Sequence, residues 1–286
     1  MSRELKEPGQ RVVLITGASS GIGRACAHHL HRKGYKVYGT SRQAPWPSDA
    51  PVKRTDQPAM FQLIPMDVTS DESVKRGVRW ILQREGHLDV VVNNAGYGLA
   101  GAVEDTELEE AKAQMETNFF GVIRLCRAVL PIMRQQGGGY LVTISSGAGL
   151  VGIPFQALYS ASKFAVEGLI ESLRAEVKPY GIRVVLVEPG DLHTGFTANR
   201  RKTRSAELGT VYATRFAKAL GVMETDETHG PSPEQIGYLL ERIITKKSPR
   251  LRYMIGRVSQ KLAVGSKKVL PSGLFEWAIM KYYRLL

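Results

Sequence analysis

The chain has 286 residues, a formal net charge of +12 and two cysteines, Cys26 and Cys126. A chain of this length can bury a large core, and two cysteines in separate apolar segments argue against a disulfide framework or a cysteine-based metal site, so we expect two buried thiols and no metal. The N-terminal residues have no apolar core and no apolar stretch reaches a membrane-spanning length, so we expect a cytoplasmic protein.

Short apolar runs alternate with amphipathic segments through the first two thirds of the chain. The runs show little polar alternation, which is typical of strands covered on both faces. This alternation predicts an α/β fold of right-handed βαβ units around a parallel sheet. The predicted strands are 11–16, 36–40, 61–66, 89–93, 140–145 and 182–188, and the predicted helices are 21–33, 70–84, 108–135 and 156–179.

Two regions break the alternation. Residues 43–60 contain four prolines and are predicted to form an irregular connection. Residues 191–232 form a long insertion after the sixth strand, where we expect a substrate lid with a helix at 206–222. The chain is accordingly divided into a main domain at 1–257 and a basic, amphipathic extension at 258–286.

A glycine-containing turn joins the first predicted strand to the first helix. Glycines permit a tight turn whose backbone N–H groups can reach a pyrophosphate, and the helix N-terminus adds partial positive charge. An ordinary glycine-rich turn is the alternative. The strand–turn–helix context favours a dinucleotide site in Thr16-Gly17-Ala18-Ser19-Ser20-Gly21-Ile22-Gly23.

The second strand ends in Thr40-Ser41-Arg42. An acidic residue is expected here when the ribose has a free 2′-hydroxyl, whereas Arg42 offers a cation for a 2′-phosphate and Ser41 can add a hydrogen bond. This favours NADP(H) over NAD(H), with a solvated loop charge as the alternative for Arg42. Asp67, after the third strand, could accept from the adenine amino group or cap the helix that begins near Ser70.

Tyr159 and Lys163 lie four residues apart on a predicted helix, a spacing that places both on one face. An ammonium near a phenol favours the phenolate, so we expect Lys163 to lower the pKa of Tyr159. A phenol with a pKa nearer neutrality can act as a general acid or base. Because this spacing is common in structural helices, the prediction depends on the other motifs.

Four motifs together resemble the short-chain dehydrogenase/reductase family: the turn at 17–23, Asn93-Asn94-Ala95-Gly96 after the fourth strand, Ser145-Ser146 after the fifth, and the Tyr159/Lys163 pair. The resemblance covers nearly all of residues 10–195. It implies a single domain with a doubly wound, Rossmann-type sheet, helices on both faces and NAD(P) across the C-terminal edge. It also implies homodimers or homotetramers that pair through the helices at 108–135 and 156–179.

The family pattern implies roles for individual residues. Ser146, thirteen residues before Tyr159, matches the catalytic serine and would hydrogen-bond the substrate oxygen. Tyr159 would exchange the proton, Lys163 would bind the nicotinamide ribose, and Asn118 would hold a proton-relaying water, with a buried core asparagine as the alternative. The residues expected around the cofactor are Gly17, Ser19, Ser20, Gly21, Ile22, Gly23, Ser41, Arg42, Asp67, Val68, Asn94, Ala95, Gly96, Tyr159, Lys163, Pro189, Gly190 and Thr194.

Several segments resemble the branch of the family that contains 17β-hydroxysteroid dehydrogenases and retinol-active relatives. They are 147–154, 159–164, 193–196, 233–235 and 251–253. Substrates in this branch are mostly apolar, so we expect reversible hydride transfer between nicotinamide C4 and the carbonyl or secondary-alcohol carbon of a steroid, retinoid or lipid ketone. Residues that could line an apolar pocket, or instead belong to the core, are Tyr97, Leu99, Leu150, Val151, Phe155 and Phe196.

Histidines occur at two further places. His193 could touch substrate, but a loop histidine with a local hydrogen bond is equally consistent with its position. The cluster His28-His29-Leu30-His31 lies on the first helix and is predicted to be a solvated face rather than a metal site.

Residues 246–286 contain ten lysines and arginines and one acid, Glu276, so nine of the net positive charges lie there. Interleaved with apolar residues, this segment could make peripheral contact with an anionic membrane, or dock on the body or a partner subunit. A nucleic-acid partner is not expected, because no recognition helix, zinc spacing or aromatic stacking motif accompanies the charge.

The alternative function is a catalytically silent, NADP-sensing regulator, which would not need Ser146, Tyr159 and Lys163.

Overall fold

The computed structural model describes residues 7–47, 61–194 and 199–286. Its centre is a sheet of seven parallel strands. The strands are β1 (Val12–Ile15), β2 (Lys36–Ser41), β3 (Gln62–Pro65), β4 (Val90–Asn93), β6 (Gly139–Ile144), β7 (Ile182–Pro189) and β9 (Arg252–Ile255), and a separate two-stranded parallel sheet pairs β5 (Leu99–Ala100) with β8 (Arg201–Lys202).

Helices connect the strands and cover both faces of the large sheet. They are α1 (Gly21–Arg32), α2 (Asp71–Glu85), α3 (Leu108–Met115), α4 (Gly121–Gln135), α5 (Ala157–Val177), α6 (Arg204–Leu208), α7 (Ala213–Thr228), α8 (Glu234–Ile244), α9 (Val258–Ser266) and α10 (Ser272–Tyr282). A π-helical turn, Glu116–Phe120, joins α3 to α4. No helix within the described ranges is long and apolar enough to cross a membrane.

Two apolar layers sandwich the sheet. On one face α2, α4 and α5 contribute buried side chains such as Ile81, Val129 and Ile170. On the other face α1 and α8 contribute Leu30 and Leu240. Both cysteines are buried free thiols, as expected, and burial raises the pKa of each to about 12.

The strand order β3-β2-β1-β4-β6-β7-β9 places a switch point between β1 and β4. β2 and β3 lie beyond β1 on one side of this point, and β6, β7 and β9 lie beyond β4 on the other side. In sheets of this kind the crevice at the carboxyl ends of the two central strands is the usual ligand site. Gly17 follows β1 and Asn94 follows β4, so the two motifs meet at this crevice.

The predicted doubly wound α/β fold is confirmed, and all six predicted strands form. Three expectations about helices and strands need correction. The helix predicted at 108–135 contains the π-helical turn, and the helix predicted at 206–222 is replaced by two helices, because Gly209, with φ of +96°, lies between them. The seventh strand, β9, was not predicted. Of the irregular connection predicted at 43–60, residues 48–60 lie outside the described residues.

Candidate active site

The turn after β1 is tied directly to the turn after β4. Thr16 Oγ1 accepts hydrogen bonds from the backbone N–H groups of Asn94 and Ala95, each at 3.0 Å. Asn94 Nδ2 donates to the carbonyls of Thr16 and Gly17, at 2.8 and 3.1 Å. The side chains of Thr16 and Asn94 therefore hold the two loops of the crevice in one arrangement.

Close packing explains two of the turn glycines. Gly17 has φ of +65°, and a Cβ there would lie 2.9 Å from Ala95 Cα. A Cβ at Gly23 would lie 2.4 Å from the Gly17 carbonyl oxygen and 2.5 Å from Asn94 Nδ2. Only glycine fits both positions without displacing backbone, so the turn brings backbone close to the crevice as a dinucleotide site requires.

The N-terminus of α1 begins beside this turn. Its N-cap residue, Ser20, is exposed, and among the described contacts the Ser20 side chain makes no capping hydrogen bond. Ser19 is also exposed, and Ile22 packs partly buried against the core. Thr194, after β7, reaches the same place, since a Cβ at Gly21 would lie 3.8 Å from Thr194 Cβ. Thr194, near the end of the family pattern, therefore lies beside the glycine turn with which that pattern begins.

Arg42 is exposed directly after β2, and Ser41 is partly buried. Ser41 Oγ accepts from the Gln43 N–H at 3.3 Å. Arg42 acts electrostatically on Tyr97, whose pKa is raised by burial and lowered by the Arg201 and Arg42 guanidinium groups. Arg201 also stacks on the Tyr97 ring, 4.5 Å from its centre.

Asp67 shapes the loop that precedes α2. Its Oδ1 accepts from the N–H and the hydroxyl of Thr69, at 2.9 and 2.8 Å. The N-cap of α2 is Ser70, which accepts from the Ser73 N–H. Asp67 therefore does not cap the helix itself, and its two hydrogen bonds fix the loop whose next residue, Val68, packs beside Gly121.

Ser146 and Tyr159 form the chemical centre. Ser146 follows β6 and accepts from the Ala148 N–H at 3.1 Å, while Tyr159 lies near the start of α5. The two side chains are hydrogen-bonded to each other. Burial raises the pKa of Tyr159 to about 12, whereas the hydrogen bond with Ser146 lowers it. The phenol therefore keeps its proton at neutral pH.

Lys163 lies one turn along α5 from Tyr159. Its ammonium is 5.9 Å from the centre of the Tyr159 ring and donates to the Ile144 carbonyl at 2.9 Å. Burial lowers the pKa of Lys163 to about 8, against which the Glu167 carboxylate raises it. The net shift of the Tyr159 pKa is upward because burial dominates, and the effect expected of Lys163 on it stays a prediction.

Asn118 occupies the π-helical turn and is buried. Its Oδ1 accepts from the Tyr97 N–H at 3.1 Å, and its Nδ2 donates to the Tyr97 carbonyl at 3.0 Å and to Ser162 Oγ at 3.1 Å. The amide also lies against Gly96, where a Cβ would be 2.9 Å from Asn118 Oδ1. The predicted catalytic asparagine therefore joins the fourth-strand motif to the helix that carries Tyr159.

Pro189 ends β7 and Gly190 follows it, and the Gly190 N–H donates to the Ile255 carbonyl of β9 at 2.7 Å. The next residue, Asp191, was missed by the sequence interpretation. Burial, together with Glu227 and Asp226, raises the pKa of Asp191 to about 6. Asp191 and Glu227 act electrostatically on Tyr159, and Glu227 forms a buried ion pair with Arg200. A charged cluster therefore adjoins the phenol, and its signal in the sequence was the acid directly after Pro-Gly.

A second charged cluster anchors α5, the helix that carries Tyr159 and Lys163. Arg252 of β9 pairs with Glu167, with Glu188 at 2.8 Å and with Glu171 at 2.7 Å. Glu167 is buried one turn beyond Lys163 on α5. Arg252 therefore links α5 to the edge of the sheet through glutamates that continue the Tyr159–Lys163 face along the helix.

The expected pocket residues divide into two groups. Leu99 and Val151 are buried core residues, while Leu150 is partly buried. Phe155, with φ of +60°, packs its ring 5.6 Å from that of Phe216 on α7, so the insertion after β7 covers this side. Phe196 lies outside the described residues.

Of the histidines singled out in the sequence, His193 makes a local hydrogen bond and His29 is buried. His193 makes the local hydrogen bond, 2.6 Å from the Thr228 carbonyl oxygen. His29 is buried, lies 2.6 Å from Glu241 Oε2 and packs edge-on against Tyr238. The prediction of a solvated face is therefore wrong for His29, because α8 packs over this side of α1.

Sequence comparison agrees with this geometry. Residues 11–205 match the family model described as short chain dehydrogenase. The chain therefore belongs to the short-chain dehydrogenase/reductase family of oxidoreductases.

Three known proteins illustrate the similarity. The 3-ketodihydrosphingosine reductase of Bacteroides thetaiotaomicron is 41% identical over 275 residues, which are 96% of this chain and 98% of that protein. Retinol dehydrogenase 8 of Bos taurus is 35% identical over 272 residues, 92% of this chain and 78% of that protein. A solved alcohol dehydrogenase from the archaeon Thermococcus sibiricus, complexed with 5-hydroxy-NADP, is 26% identical with a TM-score of 0.67, covering 87% of this chain and 97% of that one. The expected branch of the family is thereby supported.

Proposed function

We propose that the protein is an NADP-dependent oxidoreductase that reduces the carbonyl group of an apolar substrate, or oxidises the corresponding secondary alcohol. The observation that carries the proposal is the hydrogen-bonded Ser146–Tyr159 pair with Lys163 one turn away on the same helix. A nucleotide-sensing regulator has no need of this arrangement.

The residues present fit a dinucleotide. The close approach of Gly17, Gly23 and Asn94 leaves backbone rather than side chains at the crevice. The exposed Ser19 and Ser20 precede the N-terminus of α1, and a helix N-terminus favours binding of a pyrophosphate. Around these, the residues proposed to hold the cofactor are Gly21, Ile22, Ser41, Arg42, Asp67, Val68, Ala95, Gly96, Tyr159, Lys163, Pro189, Gly190 and Thr194. When bound, the nicotinamide supplies or accepts the hydride.

The chain's own residues account for the proton and the charge. Ser146 donates a hydrogen bond to the substrate oxygen as negative charge develops there. Tyr159 transfers its proton to that oxygen, a role that suits a phenol protonated at neutral pH. Lys163 holds ribose hydroxyls and maintains positive charge near the phenol, and Asn118 positions a water that returns the proton from solvent.

The preference for NADP rests on Arg42. Arg42 is exposed at the end of β2, where an acid would otherwise select the free ribose hydroxyl, and a guanidinium suits a phosphate group. The likeness to an enzyme solved with an NADP derivative is in keeping with this choice.

We propose a lipid ketone as the substrate, with retinoids and steroids as the other candidates. The support is the names of two similar proteins, a 3-ketodihydrosphingosine reductase and a retinol dehydrogenase, together with the packing of Phe155 against Phe216 of the insertion. This insertion, 191–232, is proposed as the lid of the domain 1–257.

Turnover with NADPH and NADH tests the function directly. Purified protein is assayed against 3-ketodihydrosphingosine, retinal and a steroid ketone by following absorbance of the reduced cofactor. We expect oxidation of NADPH in preference to NADH with at least one lipid ketone. Saturable NADPH binding without turnover of any of these compounds would instead favour the regulator.

Assembly and location are also proposals. Phe120 in the π-helical turn and Phe164 on α5 are 44% and 40% exposed, within the segments through which the family pairs. This supports a homodimer or homotetramer, which light scattering of the purified protein tests. We propose a cytoplasmic location, with peripheral membrane contact through the extension 258–286.

A further inference from the structure

Helices α9 and α10 fold the C-terminal extension back onto the active-site side of the body. Gln260 donates to Asp191, the acid after Pro-Gly. Lys267 Nζ donates to the Leu150 carbonyl at 2.7 Å, and the Tyr282 hydroxyl donates to Asp226 at 2.5 Å. The inner face of this helix pair therefore contacts the residues that border the chemical centre.

Tyr283 extends this contact. Burial raises its pKa, and Asp191 and Glu227 raise it further. The same two carboxylates act on Tyr159, so a residue at the end of the chain shares its charged neighbours with the catalytic phenol. The extension therefore lies beside the charged cluster that adjoins the phenol.

The outer face of the same helices is apolar and uncovered. Neither α9 nor α10 contains a fully buried residue. Leu262 on α9 is 67% exposed, and Leu274 and Trp277 on α10 are 49% and 48% exposed. Leu274 and Trp277 are three residues apart and share a face, and Lys281 Nζ lies 4.9 Å from the centre of the Trp277 ring.

The positive charge of the extension indicates which kind of partner the outer face of α9 and α10 binds. Residues 258–286 contain five lysines and arginines and one acid. Pairing this face with its own copy would bring two patches of the same sign together, because an isologous interface repeats one surface on both subunits. An anionic lipid surface complements both features, since it accepts apolar side chains below the headgroups and attracts the basic ones.

We propose that the outer face of α9 and α10 docks on an anionic membrane, so that the enzyme takes its apolar ketone from the bilayer beside the residues that border the chemical centre. This inference rests on the proposed function for its substrate, but the docking surface itself does not depend on it.

Sedimentation with vesicles tests the docking. Full-length protein is mixed with phosphatidylcholine vesicles, with or without phosphatidylglycerol, and compared with the double variant Leu262→Ser/Leu274→Ser. The matched control is Val103→Ser/Leu108→Ser, whose side chains are 64% and 63% exposed outside the extension. We expect salt-sensitive binding to the anionic vesicles only, weakened by roughly tenfold or more in the extension variant and unchanged in the control.

Turnover tests the route of the substrate. A long-chain ketone carried in the vesicles and a water-soluble short-chain ketone are reduced in parallel. We expect phosphatidylglycerol to accelerate reduction of the vesicle-borne ketone by the wild type but not by Leu262→Ser/Leu274→Ser, with equal rates on the soluble ketone.

The outcomes separate the two proposals. Wild-type protein that remains in the supernatant with both kinds of vesicle overturns the docking surface, even if the soluble ketone is reduced. A change of oligomeric state in Leu262→Ser/Leu274→Ser, seen by light scattering, would assign the face to a second copy and also overturn it. Vesicle binding without turnover of either ketone leaves the docking in place and contradicts the proposed function.

Discussion

Asn118 donates a 3.1 Å hydrogen bond to Ser162, and Ser162 in turn donates to the Tyr159 carbonyl at 2.7 Å. The π-helical turn is thereby connected to the backbone of Tyr159. We expect Asn118→Ala to lower the free energy of unfolding by about 2–4 kcal/mol, because it leaves the buried polar groups of Tyr97 without these partners, and to lower kcat as well. Urea denaturation and initial rates measure the two effects.

Ser162→Ala provides the comparison for that variant. It removes one of the three Asn118 hydrogen bonds, so a loss of about 1 kcal/mol is expected. Equal destabilisation by the two changes would show that Asn118 does not hold the turn through Tyr97.

Replacing Tyr159 by Phe removes the hydroxyl while keeping the ring in the core. Turnover should fall at least roughly a hundredfold, since proton transfer from a positioned group contributes this much or more, and NADPH binding measured by fluorescence should remain. Tyr180→Phe, at a tyrosine that is 49% exposed, is the control. Turnover by Tyr159→Phe equal to that of the control would contradict the assignment.

Arg42→Ala should change the cofactor preference. Loss of a charge-assisted bond to the 2′-phosphate is expected to lower kcat/KM for NADPH roughly tenfold to a hundredfold, while kcat/KM for NADH stays the same. Arg32→Ala, at an exposed arginine that ends α1, should alter neither value. Equal losses with both cofactors would place Arg42 outside phosphate recognition.

Arg252→Met should leave three carboxylates facing one another. Removing one partner of a buried ion pair typically costs about 3–5 kcal/mol, but Arg252 is 34% exposed, so we expect a smaller loss of about 1–3 kcal/mol at neutral pH, measured by urea unfolding. Burial raises the pKa of Glu167; protonation as the pH falls therefore relieves the repulsion, and the deficit of the variant should shrink.

Arg79→Met is the control for this cluster. Arg79 and Glu72 form an ion pair in which both side chains are mostly exposed, and such pairs contribute about 0–1 kcal/mol. A deficit in Arg252→Met that does not depend on pH would contradict the electrostatic explanation.

Asp191→Asn should stabilise the protein at neutral pH. A carboxyl whose pKa is raised from 3.8 to about 6 binds its proton more tightly in the folded state, so it lowers stability as the pH rises between these values. The advantage of the variant should be near zero below the lower value and reach about 1–3 kcal/mol above the upper one. Thermal unfolding at both ends of this range measures it, with the exposed Glu109→Gln as control. An advantage that is the same at both ends would refute the linkage.

The sequence predicts the sheet and most of the candidate site because both depend on local patterns. Apolar runs, glycines at turns and the four-residue spacing of Tyr159 and Lys163 are read without knowledge of distant contacts. Asn94 and Thr16 could not be paired in the same way, since their hydrogen bonds depend on two strands becoming neighbours.

What the sequence did not predict depends on packing between distant segments. His29 is polar and its neighbours suggest a surface, but α8 arrives from more than two hundred residues away to bury it against Glu241. The short strand β9 has no amphipathic pattern that would predict it. In the sequence Arg252 is one of many basic residues near the C-terminus, and only the fold brings Glu167, Glu171 and Glu188 around it. The pKa of Tyr159 likewise follows from burial, which the Tyr–Lys spacing cannot show.

The position of Arg252 in the chain has a consequence for synthesis on the ribosome. The helix that carries Tyr159 and Lys163 ends at Val177, yet the strand that anchors it is translated some seventy residues later. During that interval Glu167 and Glu188 lack their shared cation, so a nascent chain halted before β9 would hold Tyr159 and Lys163 on a helix without this anchor.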